Sequence, residues 1–306
     1  LTIYQERRQG GRSNNEDRTT YCYSREALLM VVADGMGGHH YGEIAAQIAV
    51  QTLADNFQRE ARPTLVDPFR FLQKGMTNAH HAILDFAERH KLSDTPRTTC
   101  VACLVQDNVA YWAHAGDSRL FLMRGGKVVA QTRDHSRIRI LIEEGLLSEA
   151  RAATHPDRNK IYSCLGSPTP PEIEFSRKTP LNHGDILLLC TDGLWGEIHG
   201  NAMAQALKGS NIVHTVPMLL SQAEAKGGQH VDNLSVVAAR WEETYLDEAS
   251  SSISTQTMAL DEIATHIEEF GRDPAHKTDL SESEIEQAIE EIRAAIDKFN
   301  PKKQGQ

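Results

Sequence analysis

Apolar residues along the chain keep two rhythms, and the switch between them separates helical from extended stretches. In "YGEIAAQIAVQTLADNFQRE", residues 41–60, Ala45, Ala49, Leu53 and Phe57 recur every four positions, with Ile44 and Ile48 beside them. That period lays one apolar stripe along a helix, predicted to begin just past a cluster of glycines. A second helix is predicted in "DPFRFLQKGMTNAHHAILDFAERHK", where Leu72, Met76, Ala79, Ile83 and Phe86 follow a 4-3-4-3 spacing. The texture then becomes extended. "TTCVACLVQDNVAYWAHAGDSRLFLMRGGKVVAQT" reads as four short strands, with turns at Asp107-Asn108, Gly116-Asp117 and Gly125-Gly126. Residues 136–155 have a polar helical pattern and give way to the irregular "GSPTPPEI". A strand "DILLLC", helices around 201–226 and a strand "LSVVAARW" follow.

Helices and strands come in groups, without strict β-α-β alternation. This predicts an α+β layered fold with antiparallel sheets rather than a doubly wound one. Residues 248–257, "EASSSISTQT", read as a linker. The last predicted helix carries Ile285, Ile289, Ile292 and Ile296 as a narrow apolar stripe on an acidic background.

Charge changes this picture in one place. The 306 residues carry a net charge of −10, and from Glu243 onward there are 15 acidic against 6 basic residues. The preceding 242 positions are nearly balanced, 27 against 26, so the body has no broad basic face for nucleic acid. No apolar run approaches the roughly 18 residues that cross a bilayer, and the opening "LTIYQERRQGGR" has no secretory core. Five cysteines, an odd number set mostly in apolar runs, suggest buried thiols in a reducing, cytoplasmic setting. Cys100 and Cys103 form a C-x-x-C inside a strand pattern, where zinc or redox use would want a turn.

The candidate chemistry sits at strand ends. "LLMVVADGMGGHH" closes an apolar run on Asp34, followed by Gly35, Gly37 and Gly38, and "DILLLCTDGLWGEI" repeats the Asp-Gly ending at Asp192-Gly193. Asp117 in "WAHAGDSRLF" and Asp232 in "HVDNLSVVAARW" also flank strands, while "GRSNNEDR" supplies Glu16 and Asp17. Any one of these is an ordinary turn carboxylate. Together they describe acids converging on one cleft, where they repel unless a cation lies between them. Hard divalent ions such as Mg²⁺ or Mn²⁺ take oxygen ligands and need neither Cys nor His. On this reading Gly35 lets the chain turn and offers its carbonyl beside Asp34, and Gly37 and Gly38 let the next helix start close by. His39, His40 and His135 read as exposed or loop histidines, and Trp112 and Trp195 as core packing.

The ordered motifs "GRSNNEDR", "VVADGMGGHHYGEIAA", "AHAGDSRLFLMRGGKV", "TRDHS", "CTDGLWGEI" and "VDNLSVVAARW" resemble the type 2C metal-dependent protein serine/threonine phosphatases, the PPM family, especially its bacterial members. They span residues 1–242, which the resemblance marks as a catalytic domain ahead of an acidic linker and helical extension, 243–306. It implies a β-sandwich of two antiparallel sheets flanked by helices. It also implies two Mg²⁺ or Mn²⁺ ions and a third, weaker one. Carried over, Asp34 bridges two ions, Gly35 gives its carbonyl, and Asp192 and Asp232 complete the shell. Glu16 and Asp17 act through bound waters, Asp117 serves the third ion, and Arg12 holds the substrate phosphate. Residues 136–165 correspond to a flap that touches substrate. The implied reaction is hydrolysis of phosphoserine or phosphothreonine by a metal-bridging hydroxide.

Two positions depart from the pattern. Met36 stands where many animal members have a proton-donating His, and Arg97 stands where a Gly usually precedes Thr98-Thr99. The implied partners are phosphoproteins and a cognate serine/threonine kinase system, with neither nucleic acid nor a membrane span. The tail from 243 reads as a solvated appendage, a partner site or a segment that binds the catalytic body. Alternatives from other classes are a catalytically silent phosphoprotein binder and a small-molecule metallophosphoesterase.

Overall fold

The computed structural model describes residues 1–36, 41–148, 151, 155, 157, 160–242, 254–257 and 264–267. Strands Thr2–Arg8 (β1), Arg18–Tyr23 (β2), Ala27–Ala33 (β3) and the short Gly35–Met36 (β4) open the chain. Helices Gly42–Glu60 (α1) and Pro68–Arg89 (α2) follow. Next come Arg97–Thr98 (β5), Cys100–Gln106 (β6), Val109–Ala115 (β7), Arg119–Arg124 (β8) and Lys127–Gln131 (β9). Helix Arg137–Glu143 (α3) precedes Glu174–Phe175 (β10), Thr179–Pro180 (β11) and Ile186–Cys190 (β12). Helices Asp192–Trp195 (α4), Gly200–Ala206 (α5) and Ile212–Gly227 (α6) lead to Leu234–Arg240 (β13). Two strands close the described chain, Ser254–Thr257 (β14) and Ala264–Ile267 (β15).

Both large sheets are antiparallel. One runs β15-β1-β13-β12-β8-β9 and the other β10-β7-β6-β3-β2-β14, with β11 also on β7. Alternation along the strands builds three apolar layers. Met30, Val32, Val101 and Cys103 meet Leu120, Leu122, Leu187, Leu189 and Val237 between the sheets. The opposite residues of β3 and β6, including Leu29, Val31 and Cys100, pack on α1 and α2. Leu188, Val236 and Ala238 pack on α5 and α6. The result is the helix–sheet–sheet–helix sandwich expected from the grouped elements. Cys100 and Cys103 face different layers, and all five thiols are buried and unbridged.

The predicted helices hold because their apolar stripes are satisfied. Ala45, Ala49, Leu53, Phe57, Leu72, Met76, Ala79 and Ile83 are fully buried, each large one contributing about 1.5–3 kcal/mol. Asp67 caps α2 by accepting from Arg70 N–H at 3.1 Å, and Pro68 sits at the first turn, where no donor is lost. The hairpin turns also stand as read: Asp107, Asn108, Gly125 and Gly126 all have positive φ, as a two-residue turn of this hand requires.

Three features depart from the sequence reading. β1 is an inner strand of its sheet although it reads "TIYQERR", with Gln5, Glu6 and Arg7 buried. Arg8 Nε donates to Glu6 Oε1 at 2.6 Å and Arg8 Nη1 to Glu224 Oε2 at 2.7 Å, pinning β1 to α6. The linker read at 248–257 contains a strand: β14 lies against β2, with Ser254 opposite Tyr23 and Thr257 opposite Thr20. An edge strand needs only backbone donors and acceptors, so a Ser/Thr-rich segment serves. Beyond it, β15 lies against β1, with Ile267 opposite Ile3 and Ala264 opposite Glu6. The isoleucine-striped helix predicted at 285–296 falls outside the described residues.

Candidate metal centre

The sequence candidates gather at one end of the sandwich. Asp34 follows β3, Asp117 sits in the turn between β7 and β8, Asp192 opens α4 just past β12, and Asp232 precedes β13. Asp17 lies at the entry to β2 and is buried. Two glycines let these stretches touch. A Cβ on Gly35 would lie 2.4 Å from the Gly42 carbonyl carbon and 2.6 Å from Glu16 O. One on Gly193 would lie 2.2 Å from Asn233 O. Each Asp-Gly glycine is therefore required by close approach of a neighbouring backbone, not by the turn that the sequence suggested.

The electrostatics follow from that packing. Asp34 holds its proton well above the usual carboxylate range, through burial first and then the fields of Asp17, Asp192, Asp117 and Asp232. Asp117 is raised in the same way by burial and then Asp192. Burial and Asp232 lift Asp192 to about 7 against the pull of Arg12. Burial lifts Asp17 to about 7 against the pull of the neighbouring Ser235 and Thr191 hydroxyls, of which Thr191 Oγ1 donates to Oδ2. Asp17 Oδ1 and Asp192 Oδ1 are buried with no hydrogen-bond partner. An uncompensated group of buried acids with orphaned oxygens fits a cation, and an all-oxygen donor set fits Mg²⁺ or Mn²⁺.

Arg12 is a cation that reaches this group. Its Nη2 donates to Asp232 Oδ2 at 2.5 Å, and the side chain is otherwise more than half exposed. Asp192 and Asp34 also act on the guanidinium. Glu16 is placed by its backbone: its N–H donates to Asn233 Oδ1 at 2.9 Å and its carbonyl abuts Gly35.

Residues that the sequence did not single out hold the acids in place. Thr99 Oγ1 accepts from Asp34 N–H at 3.1 Å and bonds Ser118 Oγ at 2.7 Å, joining the Asp34 corner to the Asp117 turn. Asp34 O accepts from Thr98 Oγ1 at 2.8 Å and from Thr99 N–H at 2.9 Å. The unusual Arg97 thus leaves the paired threonines engaged. Thr191 Oγ1 donates to Asp17 Oδ2 at 2.9 Å. Asn233 Nδ2 donates to Gln9 O and Asn14 O at 2.8 and 2.9 Å, tying the Arg12 loop to Asp232. The one available signal was adjacency, since Thr191 and Asn233 each neighbour a candidate acid.

Trp195 does more than fill the core: Arg119 stacks 3.5 Å above its ring while pairing both nitrogens with Asp134 at 2.7 and 2.6 Å. His135, read as a loop residue, is buried. Gly37, Gly38, His39 and His40 lie outside the described residues, as does part of the 136–165 segment, of which Arg137–Glu143 is helical.

Comparison with known proteins bears on the family and the fold. The protein phosphatase 2C family matches residues 5–227. A serine/threonine phosphatase, stp, of Listeria innocua is 30% identical over 229 residues, 74% of this chain and 90% of that protein. The crystal structure of the Mycobacterium tuberculosis serine/threonine phosphatase PstP/Ppp superposes with a TM-score of 0.69 at 31% identity, over 79% of this chain and all of that one. The PstP catalytic domain in complex with two manganese ions gives 0.67 at 28% identity, with 79% and 100% covered. This chain belongs to the protein phosphatase 2C family.

Proposed function

We propose that this chain is a serine/threonine protein phosphatase whose ions are held by Asp34, the Gly35 carbonyl, Asp192 and Asp232. Asp17 and Glu16 support that shell, and Asp117 serves a further, weaker ion. The observation that carries the assignment is the meeting of Asp17, Asp34, Asp117, Asp192 and Asp232 in one field, with buried oxygens on Asp17 and Asp192 left without partners. The PstP domain that this chain resembles is described with two manganese ions, which supports a pair of Mg²⁺ or Mn²⁺ ions here. When bound, such ions neutralise the acids and lower the pKa of a coordinated water toward ~7.

The chain's own groups do the rest. Arg12 stands beside Asp232 with more than half of its side chain exposed. Once the Asp232 charge is taken up by a cation, Arg12 is free to clamp two oxygens of a phosphate, a geometry lysine lacks. The cysteines take no part: burial pushes Cys100 up to about 12 and the thiol of Cys103 higher still, so neither supplies a thiolate. Because every shell acid is present, catalysis is favoured over a silent phosphoprotein binder. Phosphoproteins are the substrates, and a serine/threonine kinase is the expected opposing activity. Among the described residues no helix is long and apolar enough to cross a membrane.

The test pairs turnover with binding. Asp34→Asn should lose Mn²⁺-dependent release of phosphate from a phosphothreonine peptide and lose Mn²⁺ uptake in a calorimetric titration. Retention of both would remove Asp34 from the centre. A panel of nucleotides and sugar phosphates hydrolysed in preference to phosphopeptides would overturn the substrate class.

A further inference from the structure

Behind the turn that carries Asp117, His114 of β7, His135 and Glu174 of β10 bring one nitrogen or oxygen each to within 4.8 Å of one another. Both histidines are at least 98% buried, whereas Glu174 is 45% exposed along its side chain. His114 Nδ1 and His135 Nε2 are buried atoms without a hydrogen-bond partner. His135 Nε2 lies 3.7 Å from Glu174 Oε2, too long for a hydrogen bond. Two orphaned ring nitrogens on neighbouring buried histidines, beside one carboxylate, are an unusual thing to bury.

The hydrogen bonds around the rings fix their tautomers. His114 Nε2 lies 2.6 Å from Arg133 O, a pure acceptor, so it carries the proton and Nδ1 keeps its lone pair. Donation of the far ring N–H to a backbone carbonyl is the usual support of a metal-ligating histidine. Gly116 N–H donates to His135 Nδ1 over 3.3 Å, which leaves the His135 proton on Nε2. Ligation through Nε2 therefore moves that proton to Nδ1 and gives up the 3.3 Å bond from Gly116 N–H. Burial also pushes both imidazoles below their ordinary pKa, His135 to about 4, so both are neutral near pH 7.

We propose that His114, His135 and Glu174 form a second metal site, of two imidazoles and one carboxylate, that takes a borderline transition ion such as Zn²⁺ in preference to Mg²⁺. Imidazole selects Zn²⁺ over the hard ions suited to the carboxylate centre. Glu174 leaves one side open, so the remaining coordination positions go to water. The site joins three stretches of chain. His135 N–H donates to Gly116 O at 2.9 Å, its carbonyl accepts from Tyr162 N–H at 2.8 Å, and its ring stacks on Tyr162 at 5.5 Å. An ion here would staple both ends of the 136–165 segment to β7 and β10.

The test uses the full chain in a large excess of Mg²⁺, with Zn²⁺ and Co²⁺ as probes. One equivalent of Zn²⁺ should stay bound through dialysis, and Co²⁺ should give the visible absorption of an imidazole-ligated ion. Imidazole ¹⁵N spectra should show the His135 proton leaving Nε2 for Nδ1 on Zn²⁺ addition. Glu174→Gln, on an exposed side chain that the fold tolerates, should weaken Zn²⁺ binding about tenfold or more. Asp34→Asn should leave it intact, since that change disables only the carboxylate centre. Three results would overturn the proposal: no Zn²⁺ retained, retention indifferent to Glu174→Gln, or retention lost with Asp34→Asn.

Discussion

The two ends of β12 carry one aspartate each, Asp185 buried and Asp192 half-buried, and the protein treats them in opposite ways. Asp185, just before the strand, is fully buried and accepts two hydrogen bonds from Arg124, both 2.7 Å, and one from Asn182 N–H at 2.8 Å. Asp192, just past the strand, has an orphaned oxygen and neighbouring acids, with Arg12 engaged on Asp232. The first acid is answered by the chain and serves structure. The second is left unanswered, which costs stability and reserves a place for a cation. Burial alone does not mark a functional carboxylate; burial without a partner does.

The largest expected effect separates the two ends directly. Asp192→Asn should lower phosphopeptide turnover by about 10³-fold or more, judged by what single preorganised groups contribute at other active sites. The same change should raise the melting temperature of the metal-free protein, because one repelling charge is gone. Asp185→Asn should do the reverse, leaving turnover near native while leaving Arg124 poorly answered. Loss of a charge-assisted hydrogen bond costs about 1.5–3 kcal/mol, and each kcal/mol is about 2–4 °C in a domain of this size. Scanning calorimetry with and without Mn²⁺ reads both, and equal signs for the two variants would break the comparison.

A pH series applies the same contrast without mutation. Asp17 and Asp192 rise to about 7 in the folded chain, against an ordinary value of about 4 when unfolded. A carboxyl with a raised folded pKa favours folding below the unfolded value, and that contribution is lost as pH climbs through the folded one. The metal-free protein should therefore melt at a lower temperature near about pH 8 than near about pH 5. Mn²⁺ should remove most of that slope, since it favours the ionised acids. A metal-free melting temperature flat across this window would show that the acids are compensated within the chain.

How much of this was legible in advance follows the same division between local and tertiary causes. The stripes of α1 and α2 and the Asp-Asn and Gly-Gly turns are written in neighbouring residues, so spacing exposed them. Asp34, Asp117, Asp192 and Asp232 were visible because each ends or opens an apolar strand, whereas Asp17 precedes the polar strand "RTTYCY" and drew its role only from the resemblance. β1 was hidden because Gln5, Glu6 and Arg7 break the apolar alternation; Glu6 lies buried by accepting from Tyr4 Oη and Arg8 Nε, and Arg8 is in turn held by Glu224 of α6, more than 200 positions away. Thr99 was hidden for a related reason. Its hydroxyl matters only because Asp34 N–H and Ser118 Oγ arrive beside it. Thr99→Val keeps the shape and removes both contacts, at a cost of about 1–3 kcal/mol. It should also raise the Mn²⁺ concentration needed for half-maximal binding, measured by calorimetric titration.

The smallest effect belongs to the closing strands and asks which end of the sandwich they serve. β15 pairs with Ile3–Glu6 and β14 with Thr20–Tyr23. The residues that lead into and out of the acidic cleft are instead Arg8 and Arg18, at the other ends of β1 and β2. Ile186, next to Asp185, lies opposite Arg240, which lies opposite Thr2, so β14 and β15 sit toward the end where acids are already answered. Removing residues 250–306 exposes the backbone edges of both sheets while leaving Asp17, Asp34, Asp192 and Asp232 in place. The truncated chain should melt a few degrees lower, at about 2–4 °C for each kcal/mol of lost edge pairing. Turnover and Mn²⁺ affinity should stay near native. Unchanged melting would mean that the tail contributes nothing to the sandwich, and a fall in Mn²⁺ affinity would mean that the two ends of β12 are not independent.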